Sequence, residues 1–340
     1  MLYAPIIIPT LNRATHLKRC LESLKNNIGV EHTEIYISVD YPPAEKYVDG
    51  YNEVKQLLKE IDLSCFKKTN IFLHDKNLGP VGNTDFLKQK IEKDGYDNYI
   101  YTEDDNEFAP NFLQYMNEGL EKFKNAENVI AVCGAKDAPW ETKGKNILLC
   151  KLLAAYGVGE WPKKTRAIQT KGKEILIPEL VYTPKKMFKL LKNNKCLFNL
   201  YVICILSTDK GFFWPETNKL RWCDSTYSIY MHLSDAVCIA PSVAKSRTWG
   251  NDGSGVNMPK KDINPENECE LDNNLNFKYD AIDEMHFYEE NYALGDKYLS
   301  KGQTKNTIKA LFCYFILLLC GRKRSKAIKF FNLIKQILKK

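Results

Sequence analysis

Tyr99-Ile100-Tyr101-Thr102-Glu103-Asp104-Asp105 is a run of β-branched and aromatic residues that stops on three carboxylates. Residues of that kind favour a strand. Side chains alternate faces along a strand, so acids at its end can diverge toward different parts of one ligand. Crowded carboxylates repel one another, and a cation relieves the repulsion. Mg2+ or Mn2+ takes one or two carboxylates and completes its shell with water and phosphate oxygens. A solvated acidic turn is the plain alternative, and the neighbouring segments decide between the two.

Upstream, Ile6-Ile7-Ile8 is a continuous apolar run, as in a parallel strand buried on both faces. Leu17, Cys20, Leu21 and Leu24 then recur at helical spacing. Ile35, Ile37 and Val39 alternate as a second strand ending at Asp40, and Tyr51, Val54, Leu57, Leu58 and Ile61 mark a second helix. Ile71–Leu73 reads as a strand, Asn77–Gly79 as a turn, and Phe86, Leu87 and Ile91 as a third helix. Beyond the acids, Pro110 suits a first helical position before Phe112, Leu113, Met116, Leu120 and Phe123, and Val129–Cys133 is a further strand. Strand and helix alternate through residue 133, which predicts an α/β fold with a mostly parallel sheet and helices on both faces. Such sheets bind ligands beyond the carboxyl ends of their strands. The polar groups there are Pro9-Thr10-Leu11-Asn12-Arg13, Asp40, Asn77–Asn83 and Glu103–Asp105, which together carry more weight than any one motif.

Ala4–Leu24, with its Ile-Pro-Thr-Leu-Asn-Arg, resembles the opening strand, loop and helix of family 2 members among the GT-A glycosyltransferases. Thr102–Phe112, with Glu-Asp-Asp followed by Ala-Pro-Asn-Phe, resembles the eukaryotic N-acetylglucosaminyltransferase I family more specifically, and the likeness runs thinly on through Trp222-Cys223-Asp224 and Pro241–Gly255. The resemblance implies a GT-A (Rossmann-like) fold and inverting transfer of a sugar from a nucleotide donor, UDP-linked by preference. It implies Asp105 as the ligand of Mn2+ or Mg2+, with Glu103 and Asp104 holding ribose and donor-sugar hydroxyls. By analogy Asp40 would take the uracil or ribose, Arg13 the base or phosphates, and Pro9, Thr10 and Asn12 the donor alongside. Asn77–Asn83 resembles a nucleotide-side loop of family 2, which brings in Gly82 and Asn83; an ordinary helix start is the alternative.

An inverting mechanism needs a general base on the acceptor hydroxyl. Asp224 is the candidate, with an N-cap role as its alternative and Asp209, Glu216 and Asp235 as rivals. Ser246–Gly255 reads as a polar, glycine-rich loop able to close over the donor with Trp249 stacking on a sugar, and Gly157–Trp161 as a possible second contact. The five histidines show no metal-ligand spacing.

Eleven cysteines without CxxC pairs, and no charged, signal-length apolar start, fit reduced thiols in a cytosol. Residues 321–340 carry Arg322, Lys323, Arg324, Lys326, Lys329, Lys335, Lys339 and Lys340 and no acid, so the net charge of +7 belongs to that segment. Nucleic-acid binding by the body is not indicated. Ala310–Cys320 is too short to cross a bilayer, which takes about 20 apolar residues. With the apolar stripe Phe330, Phe331, Leu333, Ile334, Ile337 and Leu338, it fits an anchor lying on an anionic membrane; a helical hairpin packed on the body is the alternative. The expected organisation is a glycosyltransferase domain over 1–260 (1–105 for the nucleotide, 106–260 for the acceptor), a polar connection over 261–306 and an amphipathic tail over 307–340. The expected activity is transfer to a lipid-linked oligosaccharide of a bacterial surface polysaccharide, on the cytoplasmic face of the membrane. A sugar-1-phosphate nucleotidyltransferase would show a glycine-rich, basic phosphate loop after the first strand, and Pro9–Arg13 has no glycine. A non-catalytic membrane adaptor would give no reason for Glu103–Asp105 and Asp224 to share a cleft.

Overall fold

Successive isoleucines at the start of the chain point to opposite sides of one strand, and each side is covered. The structure, a computed structural model, describes residues 3–136, 144–176, 183–193, 195–206, 222–255, 260, 264–281, 286–287, 303–321 and 323–337. In β1 (Ile6–Thr10), Ile6 and Ile8 pack with Leu17, Leu21 and Leu24 of helix α1 (Ala14–Lys25). Ile7 instead packs with Leu87 and Ile91 of α3 (Gly79–Lys93). β2 (Glu34–Val39) contributes Ile35 and Ile37 to the first layer and Tyr36 to the second. Helix α2 (Val48–Glu60) joins α1 through Tyr51 and Val54. The alternation of side chains along each strand therefore builds a three-layer sandwich.

β1 pairs in parallel with β2 and with β4 (Tyr99–Tyr101), and β2 with β3 (Lys68–Leu73), a partly exposed edge strand. After the short β5 (Asn106–Phe108) comes helix α4 (Phe112–Phe123), which lays Leu113, Met116, Leu120 and Phe123 on the core. The sheet extends through β6 (Val129–Cys133), β7 (Ile147–Cys150), β8 (Val158–Glu160), β9 (Val237–Pro241) and β11 (His286–Phe287). Among the described residues it is nine-stranded, in the order β11-β7-β9-β6-β8-β4-β1-β2-β3. β5 and β10 (Ser246–Thr248) form a separate antiparallel pair.

Several expectations need correction. The sheet is mostly parallel, as expected, but mixed: β8 runs antiparallel between β4 and β6, and β7 antiparallel to β9. Gly157 and Gly159 are core positions: a Cβ at Gly157 would meet Phe112 at 2.9 Å, and one at Gly159 would meet Leu120 at 3.1 Å. Trp161 is likewise buried in the core, with Lys164 over its ring at 3.9 Å, and is not a sugar contact. Pro110 precedes α4, whose N-cap is Asn111; its carbonyl instead accepts the Ile28 N–H.

Contacts divide the chain into one unit of residues 1–166 and 236–288 and another of 167–235 and 289–340. The first unit thus runs past residue 260. Phe277 and Tyr279 pack against Tyr115, and Asp280 accepts the N–H groups of Asn146 and Ile147. The sequence here is polar because those side chains bond the core's backbone.

The second unit contains α6 (Pro184–Asn193), α7 (Lys195–Leu206), α8 (Asp224–Leu233), α10 (Gln303–Leu319) and α11 (Arg324–Ile337). Helix α5 (Pro162–Leu176) straddles the division, and the short α9 (Pro265–Glu268) belongs to the first unit. α7 carries buried Phe198, Tyr201, Val202 and Ile205 and packs against α6, α10 and α11. The C-terminal helices therefore form part of a helical unit. Among the described residues no helix is long and apolar enough to cross a membrane.

One buried ion pair ties residue 272 to the first unit. The Lys245 ammonium, almost wholly enclosed, donates to Asp272 and lies 4.0 Å from the Phe277 ring. Burial opposes ionisation of Asp272, but Lys245, the Asn274 N–H and Asn111 overcome it and hold the carboxyl below its ordinary range. Lys245→Ala strands that carboxylate and is expected to cost about 3–5 kcal/mol, measured as the shift in urea unfolding.

Candidate active site

The parallel register brings the strand ends together. Thr10 lies beside Val39 and Ile7 beside Tyr101, so β1, β2 and β4 deliver Thr10, Asp40 and Glu103–Asp105 to one edge. At the centre sits Arg13, in the loop between β1 and α1. Its Nη2 pairs with Asp104 Oδ1 and its Nη1 donates to Asp105 Oδ2 at 2.7 Å. Thr10 Oγ1 donates to Asp104 Oδ2 at 2.6 Å. Asp104 is buried with both oxygens bonded, and it anchors Arg13. Burial works against the Arg13 charge, and the two aspartates outweigh it, leaving the guanidinium more firmly protonated than usual.

Asp105 differs from Asp104. Its Oδ2 accepts from Arg13, while Oδ1 is buried and, among the described residues, has no partner. The Asp105 carbonyl accepts the Trp249 N–H at 2.8 Å. Gly250 backs the carboxylate so closely that a Cβ there would stand 2.4 Å from Oδ2. Glu103 is partly exposed, and Tyr101 donates to it at 3.3 Å. Burial, then the charges of Asp105 and Asp104, push its pKa up to about 7, against the pull of Arg13 and Tyr101.

Several other candidates are spent on the scaffold. Asp40 is buried; its Oδ1 accepts the Tyr41 and Leu78 N–H groups, and its Oδ2 accepts from Asn77 at 3.1 Å. Asn83, also buried, accepts from Ser38 and donates to the carbonyls of Ser38 and Thr10 at 3.0 and 3.3 Å. It laces strand ends instead of facing a donor. Gly82 lies in the first turn of α3, and Pro9 is half-buried within β1. The Asn12 carbonyl rests on α2, where a Cβ on Gly50 would approach it to 2.4 Å.

Trp249 is not in a free loop. Ser246–Thr248 pairs with β5, setting Arg247 opposite Glu107, and Gly250–Asp252 is a tight helical turn. Trp249 Nε1 donates to Glu107 Oε2 at 2.6 Å, and the Arg19 guanidinium covers its ring at 3.9 Å. Arg19, Glu107 and Gly250 escaped the sequence reading. Only the cross-strand register reveals the Glu107–Arg247 pairing, so no local signal announced it. Asp224 belongs to the second unit, exposed as the first residue of α8, with Cys223 at the cap. Asp209 and Glu216 lie outside the described residues; Asp235 is exposed after α8.

Among the described residues no group of three His, Cys, Asp or Glu side chains can hold a metal alone. The orphaned Asp105 oxygen suits a different mode, in which one hard carboxylate oxygen meets a Mg2+ or Mn2+ ion carried largely by phosphate and water. The residues present fit that ion.

A model of the family described as Glycosyl transferase family 2 matches residues 6–179, half of the chain. The chain belongs to glycosyl transferase family 2. Comparison with curated proteins gives no match. Among solved structures it is similar to S. aureus TarS 1-349, at 11% identity and a TM-score of 0.37 over 74% of this chain and 61% of that one. It is also similar to the longer S. aureus TarS, at 10% identity and 0.34, over 50% of this chain and only 29% of that one. A third likeness is the mannosyltransferase PcManGT from Pyrobaculum calidifontis in complex with GDP-Man and Mn2+, at 10% identity and 0.38, over 68% of both chains. The chain therefore spans less than a third of the longer TarS. The family model covers β1 to the end of α5, the part that carries Arg13 and the three acids.

Gly250→Ala drives a methyl group into the Asp105 carboxylate. It is expected to lower turnover roughly 10²-fold through misplacement, with an unfolding midpoint close to the parent's. Because the native Glu103 pKa lies above its ordinary value, the stability linked to its neutral form is present at low pH and lost as pH rises through about 7. Glu103→Gln is expected to flatten that fall, read from melting temperatures measured across the interval.

Proposed function

We propose that this member of glycosyl transferase family 2 moves a sugar from a nucleotide-diphosphate donor, UDP-linked by preference, to a hydroxyl of a glycan acceptor, with inversion. The observation that carries the reading is the pairing of Arg13 with an Asp105 whose second oxygen is buried and unmet. Asp105 would hold a divalent cation there, which would supply charge neutralisation to a leaving diphosphate. Asp105 Oδ1 would be the chain's own ligand to it, and Arg13, paired with both aspartates, would meet the donor's phosphates. Glu103, partly exposed and close to neutral pH in its titration, is the carboxyl able to accept from a sugar hydroxyl. Asp104, Thr10, Asp40 and Asn83 position these groups.

Asp224 remains the proposed base on the acceptor. Its exposure at the first residue of a helix, with the cap taken by Cys223, supports that use over an N-cap role. The acceptor is proposed to be a lipid-linked oligosaccharide reached from the cytoplasmic face, in keeping with the basic C-terminal segment. Family membership disfavours the nucleotidyltransferase alternative.

A panel of UDP- and GDP-sugars, assayed for release of free nucleoside diphosphate with Mn2+ or Mg2+, tests the reading. Asp105→Ala is expected to lower release roughly 10²–10³-fold. Equal rates in parent and variant, or release of pyrophosphate in place of nucleoside diphosphate, would sink it.

A further inference from the structure

Helix α7 is apolar around its circumference, and it lies at the centre of the second unit with α6, α10 and α11 against it. α10 turns Ala310, Tyr314 and Leu317 inward. Its other face shows Ile308, Phe312, Phe315 and Leu319 at exposures of 63, 55, 58 and 71%. These stand four, three and four residues apart, so they form one stripe. The stripe continues onto a helix from the middle of the chain. Phe188 of α6, 54% exposed, shares a groove with Leu311, Phe312, Phe315 and Leu318, and its ring meets Tyr314 edge-on at 6.4 Å. Phe330 and Leu333 leave a further exposed apolar pair on α11. A contiguous patch of this kind on a folded unit marks an interaction surface.

The charge around the patch identifies the partner. α6, α7, α10 and α11 contain not one aspartate or glutamate. Lys185 and Lys192 stand three before and four after Phe188, on its own face of α6. Lys305 stands three before Ile308, Lys326 four before Phe330, and Lys329 four before Leu333. All five lysines are exposed. Aromatic and aliphatic side chains edged by lysine, with acids excluded, match the boundary of an anionic bilayer, where apolar groups enter below the headgroups and ammonium groups stay among the phosphates.

We infer that the helical unit docks on an anionic lipid surface through the shared face of α10 and the internal helix α6, supplemented by the exposed apolar and basic side chains of α11. The surface is thus assembled from two distant stretches of chain and is not a C-terminal appendage. This deepens the proposed function, resting on it only for where the acceptor lies, and its test needs no turnover.

The full chain is mixed with vesicles of phosphatidylcholine containing phosphatidylglycerol, or of phosphatidylcholine alone, and sedimented. Binding to the anionic vesicles only, weakened by salt, is expected. Phe312→Ser with Phe315→Ser, Lys185→Glu with Lys192→Glu, and Phe188→Ser alone are each expected to reduce the bound fraction at least tenfold in partition, roughly one hydrophobic anchor's worth. Donor hydrolysis in solution is expected to stay at the parent's rate in all three, which separates failure of the surface from failure of the transfer reaction. A parent chain that stays in the supernatant, or vesicle binding indifferent to the charge pair, would overturn the inference. So would a Phe188→Ser variant that binds like the parent, or a dimer in light scattering that the Phe312/Phe315 variant dissociates.

Discussion

Three carboxylates in succession at the end of a buried strand need positive charge beside them, and Arg13 supplies it. Taking a carboxylate out of water without a partner is costly, and two adjacent ones repel. The guanidinium spans both aspartates, a fork whose geometry suits carboxylates better than an ammonium does. Thr10 takes the remaining oxygen of Asp104, while no described residue takes that of Asp105. The asymmetry separates an acid that anchors the arginine from an acid left with capacity to bind. Much of the surrounding polar network serves to keep this arrangement in place: Asp40 and Asn83 lace the ends of β1, β2 and the start of α3.

The site also depends on chain that arrives late. β10 pairs with β5 just after the acids, and through it Trp249 grips the Asp105 carbonyl while Gly250 closes behind the carboxylate. Glu107 holds both Arg247 and the Trp249 indole, and Arg19 stacks on that ring. Any change in this return strand reaches Asp105 directly. Further on, Lys245, Asp272 and Asn111 bind a polar stretch onto the core that composition alone marks as a connection.

Family membership rests on the pattern of residues 6–179, and the proposed donor chemistry on the partners of Arg13 and Asp105. The helical unit raises a different matter, since α6, α10 and α11 pack around the apolar α7 and these four helices carry no acidic residue to temper their charge. Its exposed stripe is as much a part of how the chain is built as the acid cluster at the strand ends is.

Local periodicity made the first half legible. The isoleucine run of β1, the alternation at Ile35–Val39 and the helical spacing in α1, α2 and α4 follow from side-chain directions that neighbours in sequence impose. Tyr99–Asp105 likewise announced a strand ending in acids, and with it the edge where the site stands. The antiparallel insertion of β8, the bracing of Trp249, the burial of Trp161 and the union of α6 with α10 were decided only in three dimensions. Each depends on a pairing between residues far apart in the chain, whose free energy comes from contacts that no local pattern records. The sequence by itself determined most of the strands and helices up to residue 133 and where the carboxylates fall; the tertiary structure alone decided which of those carboxylates is satisfied and which is left open.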